Sequence, residues 1–526
     1  MRASGPGFDA IVAAQPAPAR APSWRIGTRL DAWWSSRTPR TRAVLRWSAP
    51  AGVMLTAALT RLVGLAHPSE IVFDETYYVK DAWTTWNLGY EATWPADPTG
   101  SDPHWADRQF EAGNTDIFQT TASFAVHPPL GKWLIALGMA LLGPSDPVGW
   151  RLSVAIAGIL LVGLVMLVAH RLTRSLLVAS IAGGLLAIDG NGIVMSRVAL
   201  LDGFVALFAL LGFYFVLLDR ERTRRTGALW ARPWLLAAGA ALGAATAVKW
   251  NGVWFLAFFG VWTVVADAID RRDGWAVLRH GPVNFVLLVP VAAAAYLLSW
   301  TGWFATEGGY YRQWAAQGDH AWEGFWSWVP LPVQSFLHHQ GEVLRFHEGL
   351  HNDHPYRSPA WAWLLIARPT AIWYRATTGA TDPGCGGDAC GALVTDLPNP
   401  LIWYASVAAI VWLLVVAIRR RDWAAWAVVV GFAAGYVPWL LLPERTTYFF
   451  YSIAYQPFLV LALAMALHRI LGRPDDERSR RRSGIIAVTA FLAAAVALSV
   501  FFWPIWSGMT LDTGALTLRY WSPTWA

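Results

Sequence analysis

WRLSVAIAGILLVGLVMLVA, residues 150–169, is a twenty-residue run whose single charge, Arg151, stands at its second position. About 20 apolar residues in a helix match the hydrocarbon thickness of a bilayer. Working outward from this run, ten further segments read the same way: 44–66, 176–195, 198–218, 234–251, 252–269, 282–301, 401–418, 423–442, 453–470 and 484–503. A twelfth apolar stretch, Leu130–Gly143, spans 14 residues between Pro129 and Pro144 and reads as an interfacial or re-entrant helix. Only 14% of the 526 residues are charged, against about 25% in soluble domains. That composition excludes disorder and an ordinary soluble enzyme. The expected fold is an all-α polytopic membrane protein with about eleven transmembrane helices and two long extracytoplasmic loops containing short interfacial helices.

Charge placement orients the chain. The short basic connections are Arg171–Arg174, Arg220–Arg232, Arg271–Arg279, Arg419–Arg421 and Arg469–Arg482. They alternate with non-basic connections if eleven helices span and the N-terminus is cytoplasmic. A twelfth span would put either the N-terminal arginines or all later basic loops on the wrong side. The basic excess is therefore loop topology, and nucleic-acid binding loses its footing. Residues 1–43, rich in Ala, Pro and Arg, read as a disordered cytoplasmic tail. The domain organisation is a transmembrane body over 44–503, with outer loops 67–149 and 302–400 and an extracytoplasmic tail at 504–526. The three lysines and nine of the twelve histidines fall outside. Loops of this length are commonly functional, so the chemistry is expected on the outer face.

The first outer loop carries the sharpest polar pattern: Arg61, then His67-Pro68-Ser69-Glu70-Ile71-Val72-Phe73-Asp74-Glu75-Thr76-Tyr77-Tyr78. Adjacent carboxylates directly after a membrane helix, beside aromatics, suit a general base near the bilayer surface. The plainer alternative is that Asp74 caps a helix starting near Thr76, with Glu75 in its first turn. Further on, Ala125-Val126-His127-Pro128-Pro129-Leu130-Gly131-Lys132-Trp133 uses two prolines to set a sharp start to the short helix. His127 and Lys132 then lie near the headgroup plane, where they meet a phosphate or merely form a rigid turn and a snorkelling lysine. Arg151 opens a span at its outer end. Asp202 lies within a hydrophobic span, where an acid needs a partner; Arg197, five residues earlier, is poorly spaced for that role. Lys249 is a further cation at an outer helix end.

The second outer loop contains Arg345-Phe346-His347-Glu348-Gly349-Leu350-His351. His347 and His351, four residues apart, share one face of a continuous helix, as a metal pair would require, but no further ligands stand at firm spacing. The metal site is unknown from sequence; a divalent cation is compatible with the chain and not required by it. Aromatic pairs such as Trp361/Trp363 and Trp373-Tyr374 fit an interfacial belt. Cys385 and Cys390 flank a Gly-rich stretch outside the membrane, which suits a local disulfide.

These residues in this order resemble the protein O-mannosyltransferases, GT-C-type membrane glycosyltransferases, in their compact bacterial form. The likeness rests on Arg61 ahead of Phe73-Asp74-Glu75, on His127-Pro128-Pro129-Leu130-Gly131-Lys132, Arg151, Ala187-Ile188-Asp189, Arg197 with Leu200-Leu201-Asp202, and Val248-Lys249-Trp250. It runs from about residue 55 to 465. Two departures stand out: Ala125 occupies the position where many members carry an acid two residues before the motif histidine, and 302–400 is too short and helical-looking for the β-rich domain of eukaryotic relatives. The resemblance implies inverting transfer of mannose from polyprenyl-phosphate-mannose to Ser or Thr hydroxyls of exported proteins at the plasma membrane, with membrane lipids around the enzyme. It implies Asp74 as base with Glu75 orienting it, those roles being exchangeable. Arg61, His127, Lys132 and Arg151 would surround the donor phosphate, with Arg197, Asp202 and Lys249 in support. Two alternatives remain: a related transferase with a lipid or polysaccharide acceptor, and a transporter. The latter predicts charges in both leaflets and related halves, neither of which the sequence displays.

Overall fold

A computed structural model describes residues 36–525 apart from 272–273, 380–381, 383 and 473–475. The chain divides into two compact units, Met1–Ala49 and Pro50–Ala526. In the first, residues 1–35 of the expected tail lie outside the described residues. Helix α1 (Pro39–Leu62) already begins at Pro39, so the stretch 39–43 is helical rather than tail.

The outer-loop helices α2 (Glu75–Leu88), α3 (Trp105–Glu111) and α4 (Leu130–Leu142) lead into the long α5 (Pro147–Thr173). The Asp146 carboxylate accepts from Val148 N at 2.8 Å and Pro147 occupies the first turn, which fixes where α5 starts. Then follow α6 (Leu176–Ile188), α7 (Gly190–Val194), α8 (Asp202–Thr226), α9 (Pro233–Val248), α10 (Gly252–Arg271), α11 (Ala276–Ser299) and α12 (Thr301–Ala305). The second loop holds α13 (Leu331–Glu348) and α14 (Ala360–Trp363), after which α15 (Pro400–Arg420), α16 (Trp423–Leu440), α17 (Gln456–Leu471) and α18 (Arg478–Ser507) complete the bundle. All eleven expected spans fall on helices. Seven of these, α5, α8, α10, α11, α15, α16 and α18, are long and apolar enough to cross a membrane outright. Three more, α6, α9 and α17, are shorter apolar helices, as is α4. The expected span 176–195 is in fact two helices, broken at Asp189.

That break is a polar joint inside an apolar core. The Asp189 carboxylate accepts from Asn191 N at 3.0 Å, Asn399 N at 3.0 Å and Gln456 Nε2 at 2.5 Å, tying α7 to the second loop and α17. A Cβ at Gly190 would stand 2.1 Å from Leu397 O and 2.2 Å from the Trp506 ring, so no side chain fits. Helices in lipid gain little from apolar contact alone, so close approach matters. Gly239 and Gly243, four apart on α9, let α11 in: a Cβ at Gly243 would be 2.4 Å from Ala292 O.

The expectation of purely helical structure needs one correction. Strands β1 (Thr370–Thr377), β2 (Cys390–Asp396) and β3 (Thr510–Asp512) form an antiparallel sheet in the order β1-β2-β3. Thr370 pairs with Asp396 and Thr377 with Cys390, and Cys385–Cys390 is a disulfide. Trp373 and Tyr374, read as interfacial, are strand residues; Trp373 donates to Glu70. Nor does 504–526 trail away: it carries β3 and α19 (Thr513–Thr517), and Trp525 Nε1 donates to Ile366 O at 2.7 Å.

Candidate active site

Asp74 sits at the N-cap position of α2, preceded by Phe73 in the left-handed region at φ 50°. Its backbone is helical (φ −70°, ψ −4°) and its carboxylate caps no amide. The capping alternative therefore fails, and the side chain turns instead toward Tyr78, with Lys249 and Asp202 as its neighbouring charges. Burial pushes the Asp74 carboxyl up to about 6; Lys249 and the Tyr78 hydroxyl oppose that rise and Asp202 adds to it. Lys249 Nζ donates to both Asp202 oxygens at 2.9 and 3.1 Å and lies 4.2 Å from the Tyr451 ring centroid.

Glu75, one residue on, is spent on structure. It is fully buried, and it accepts from Arg151 Nε at 2.8 Å and Arg151 Nη2 at 2.7 Å. The amides of Ala199 and Val72 add bonds of 2.7 and 3.0 Å. Arg151 also donates to the carbonyls of Leu65, Pro68 and Glu70. Every guanidinium donor is thereby engaged and none faces a phosphate. Arg151 is a brace, contrary to the expectation placed on it.

Arg61 departs from expectation in the same way. Its two terminal nitrogens donate to Thr60 Oγ1 and to the carbonyls of Ala187, Leu186 and Gly192, which pins the end of α1 to the α6–α7 joint. Arg197 donates to the carbonyls of Thr60, Arg61, Val63 and Gly64, satisfying the exposed end of the first span. Lys132 is buried against Glu91 at 2.6 Å and Asp81 at 3.6 Å. Of the four residues expected around the phosphate, two keep a buried nitrogen with no hydrogen-bond partner among the described residues, Arg61 Nε and His127 Nδ1. Burial, reinforced by Lys249 and His347, holds the His127 pKa well below the usual histidine range.

The structure adds Arg445, which the sequence reading missed. His347 stacks on His127 with ring centroids 5.6 Å apart. Its Nε2 donates to Val126 O at 3.1 Å, so Nδ1 accepts from Arg445 Nη2 at 3.2 Å. Burial and Arg445 lower the His347 pKa to about 4. The signal for Arg445 was its place directly after a span in Glu444-Arg445-Thr446-Thr447-Tyr448-Phe449-Phe450-Tyr451, whose aromatics line the same region. The expected His347/His351 metal face does not form, because α13 ends at Glu348 and His351 binds Glu444 O. Among the described residues, no group of three His, Cys, Asp or Glu is placed to hold a metal ion. The arrangement is thus the raised carboxyl of Asp74 with Lys249 as a neighbouring charge, and the His127–His347 stack with Arg445 beside it, groups of the kind that proton transfer and phosphate binding require.

A family model described as "Dolichyl-phosphate-mannose-protein mannosyltransferase" matches residues 144–299, and one described as "C-terminal four TMM region of protein-O-mannosyltransferase" matches 332–525. The yeast protein O-mannosyltransferase Pmt1-Pmt2 complex bound to the sugar donor, from S. cerevisiae, shares the fold with a TM-score of 0.70, covering 95% of this chain and 94% of that one at 16% identity. The polyprenol-phosphate-mannose–protein mannosyltransferase of Mycobacterium tuberculosis (strain ATCC 25618 / H37Rv) is 32% identical over 517 residues, 91% of this chain and 92% of that protein. Its counterpart in Mycolicibacterium smegmatis (strain ATCC 700084 / mc(2)155) is 34% identical over 516 residues, 91% of this chain and 93% of the relative. With that identity sustained over nearly the whole of both chains, the protein belongs to the polyprenol-phosphate-mannose–protein mannosyltransferase family.

Proposed function

We propose that this multi-pass membrane glycosyltransferase moves mannose from polyprenyl-phosphate-mannose to Ser or Thr hydroxyls of exported proteins, with inversion at the anomeric carbon. Asp74 takes the proton of the incoming hydroxyl. The hydroxyl oxygen attacks the anomeric carbon from the face opposite the phosphate. The carbon–oxygen bond to phosphate breaks, its electron pair stays on the phosphate oxygen, and polyprenyl phosphate leaves. Phosphate is a good leaving group, so the demand falls on a base and on cations that meet the charge as it develops. Lys249 and Arg445 supply that charge and the free His127 edge supplies a neutral contact, while Glu75, Arg151, Arg61 and Arg197 hold the loop. On this reading the site is extracytoplasmic and the N-terminus cytoplasmic, at the plasma membrane.

The observation that carries the assignment is the contrast between neighbours: Glu75 accepts four hydrogen bonds, whereas Asp74 caps no amide and has a carboxyl raised to about 6. The test incubates membranes with radiolabelled polyprenyl-phosphate-mannose and a Thr-rich exported peptide. Asp74→Asn should lower peptide labelling by about 10²–10⁴-fold while the protein still inserts and binds donor lipid. Near-normal labelling by that variant removes Asp74 as base. Label that enters lipid and never peptide favours a lipid acceptor instead.

A further inference from the structure

Helix α5 carries Arg151 at one end and Arg171 twenty residues later, a separation of about 30 Å along the axis. That distance matches the hydrocarbon thickness of a bilayer, so whatever surrounds Arg171 stands at the membrane boundary opposite the candidate active site. There, between the ends of α5 and α8 and the start of α16, lies a cavity of about 430 Å³. Five arginines line it: Arg171, Arg174, Arg220, Arg224 and Arg225. Glu221 is shared by three of them, at 2.5 Å from Arg171, 3.2 Å from Arg174 and 2.5 Å from Arg225. Asp270 takes Arg220 at 2.8 Å and Arg224 at 3.7 Å.

Five guanidinium groups thus face two carboxylates, and each guanidinium has five donors. The side chains of Arg174 and Arg225 are 65% and 74% exposed, leaving most of their N–H groups directed to the surroundings. Neighbouring Arg232 shows what a purely structural arginine looks like on this face. It is buried, and it is matched by Asp219 at 2.6 Å, Asp267 at 2.7 Å and Asn284 at 2.6 Å. Membrane orientation requires only a number of basic residues in a loop; it does not require them to converge on one cavity. The wall of the cavity is apolar, with Leu172, Leu217 and Trp423 present and the Arg220 guanidinium 3.8 Å from the Trp423 ring centroid. Forked donors above an apolar wall fit a phosphate diester that carries hydrocarbon below it.

We propose that this cavity binds the phosphate of an anionic phosphoglyceride from the leaflet opposite the active site. The headgroup phosphate sits among Arg174, Arg224 and Arg225, and the glycerol and upper chain lie against Leu172 and Leu217. The lipid is preferred to free phosphate because of that apolar wall.

Native mass spectrometry of the full-length protein released from mixed vesicles of phosphatidylglycerol and phosphatidylcholine reads this directly. Wild-type protein should retain phosphatidylglycerol selectively. Arg174→Gln/Arg225→Gln should reduce that retention by about thirtyfold, from about 1 kcal/mol of surface attraction lost per arginine. Arg419→Gln/Arg421→Gln removes the same charge from exposed residues of the same face outside the cavity and should change retention less than about twofold. Should the double variant not fold, Arg174→Gln alone should lower retention about fivefold. Equal losses in both double variants would reduce the cavity to bulk charge and overturn the proposal. Equal retention of phosphatidylcholine, or displacement of the lipid by inorganic phosphate, would overturn it too.

Discussion

At Asp74 and Glu75 two adjacent carboxylates have opposite fates, and the cause is geometric. The helix start directs Glu75 inward to Arg151 and two amides, while Asp74 is left beside Tyr78 and Lys249. Since burial raises the Asp74 carboxyl to about 6 and a base must be deprotonated to act, transfer should rise with pH through 6 and level off above about 7. At pH 5 the rate should be about one tenth of the plateau. A pH profile of initial rates checks this, and a flat profile between pH 5 and 7 argues against Asp74. Glu75→Gln should behave differently. It leaves the buried Arg151 charge uncompensated, at a cost of about 3–5 kcal/mol, read as a fall in the thermal unfolding midpoint in detergent. Asp74→Asn should leave that midpoint nearly unchanged. The sequence could not separate these roles. A cation at an outer helix end looks the same whether it meets a phosphate or, like Arg61 and Arg151, meets backbone carbonyls from segments far away in the chain. His127, Asp202 and Lys249 were legible as candidates because each lies in a motif run and the fold brings it beside Asp74 or His347; Arg445 was not, because its partner His347 lies 98 residues away.

Among the elements, the helices were the readable part. Apolar runs of spanning length are a local signal, and each expected span lies on a helix, though the Asp189 break shows that a run can hide a joint. The sheet was less readable. Thr370–Thr377 is rich in β-branched and aromatic residues and is followed by a Gly-rich turn, which is a strand signal, but the same aromatics also satisfy an interfacial belt. Strand β3 comes from the far C-terminus, and no local pattern announces its pairing with β2. The α9–α11 contact yields a prediction at this scale. Gly243→Leu must push the helices apart, since even a Cβ would stand 2.4 Å from Ala292 O. A destabilisation of about 1–3 kcal/mol is expected, seen as a lower unfolding midpoint. Gly281→Ala, where the nearest atom is 3.8 Å away, should be neutral. Equal effects from both would deny the close approach.

Over the whole molecule, the proposed orientation separates a carboxylate-and-histidine face from an arginine face. It predicts the behaviour of two single-cysteine probes. Trp326→Cys, in the second long loop, should react with a membrane-impermeant maleimide on intact cells. Arg225→Cys should react only after the membrane is opened. Both positions are exposed, at 55% for Trp326 and 74% for the Arg225 side chain, so a difference reports sidedness and not burial. The paired Cys385 and Cys390 stay silent unless reduced. Labelling of both probes on intact cells would contradict the topology.

The missing cap bond at Asp74 also bears on how this lineage can drift. A residue that caps no amide of its own loop is easily passed by the quality control that removes misfolded membrane proteins. A duplicate gene that lost this one acid would still yield a chain that matures, sits in the membrane and grips its lipid. With Asp74 as the proposed base, a silent paralogue, competing for donor without turning it over, is a single substitution away.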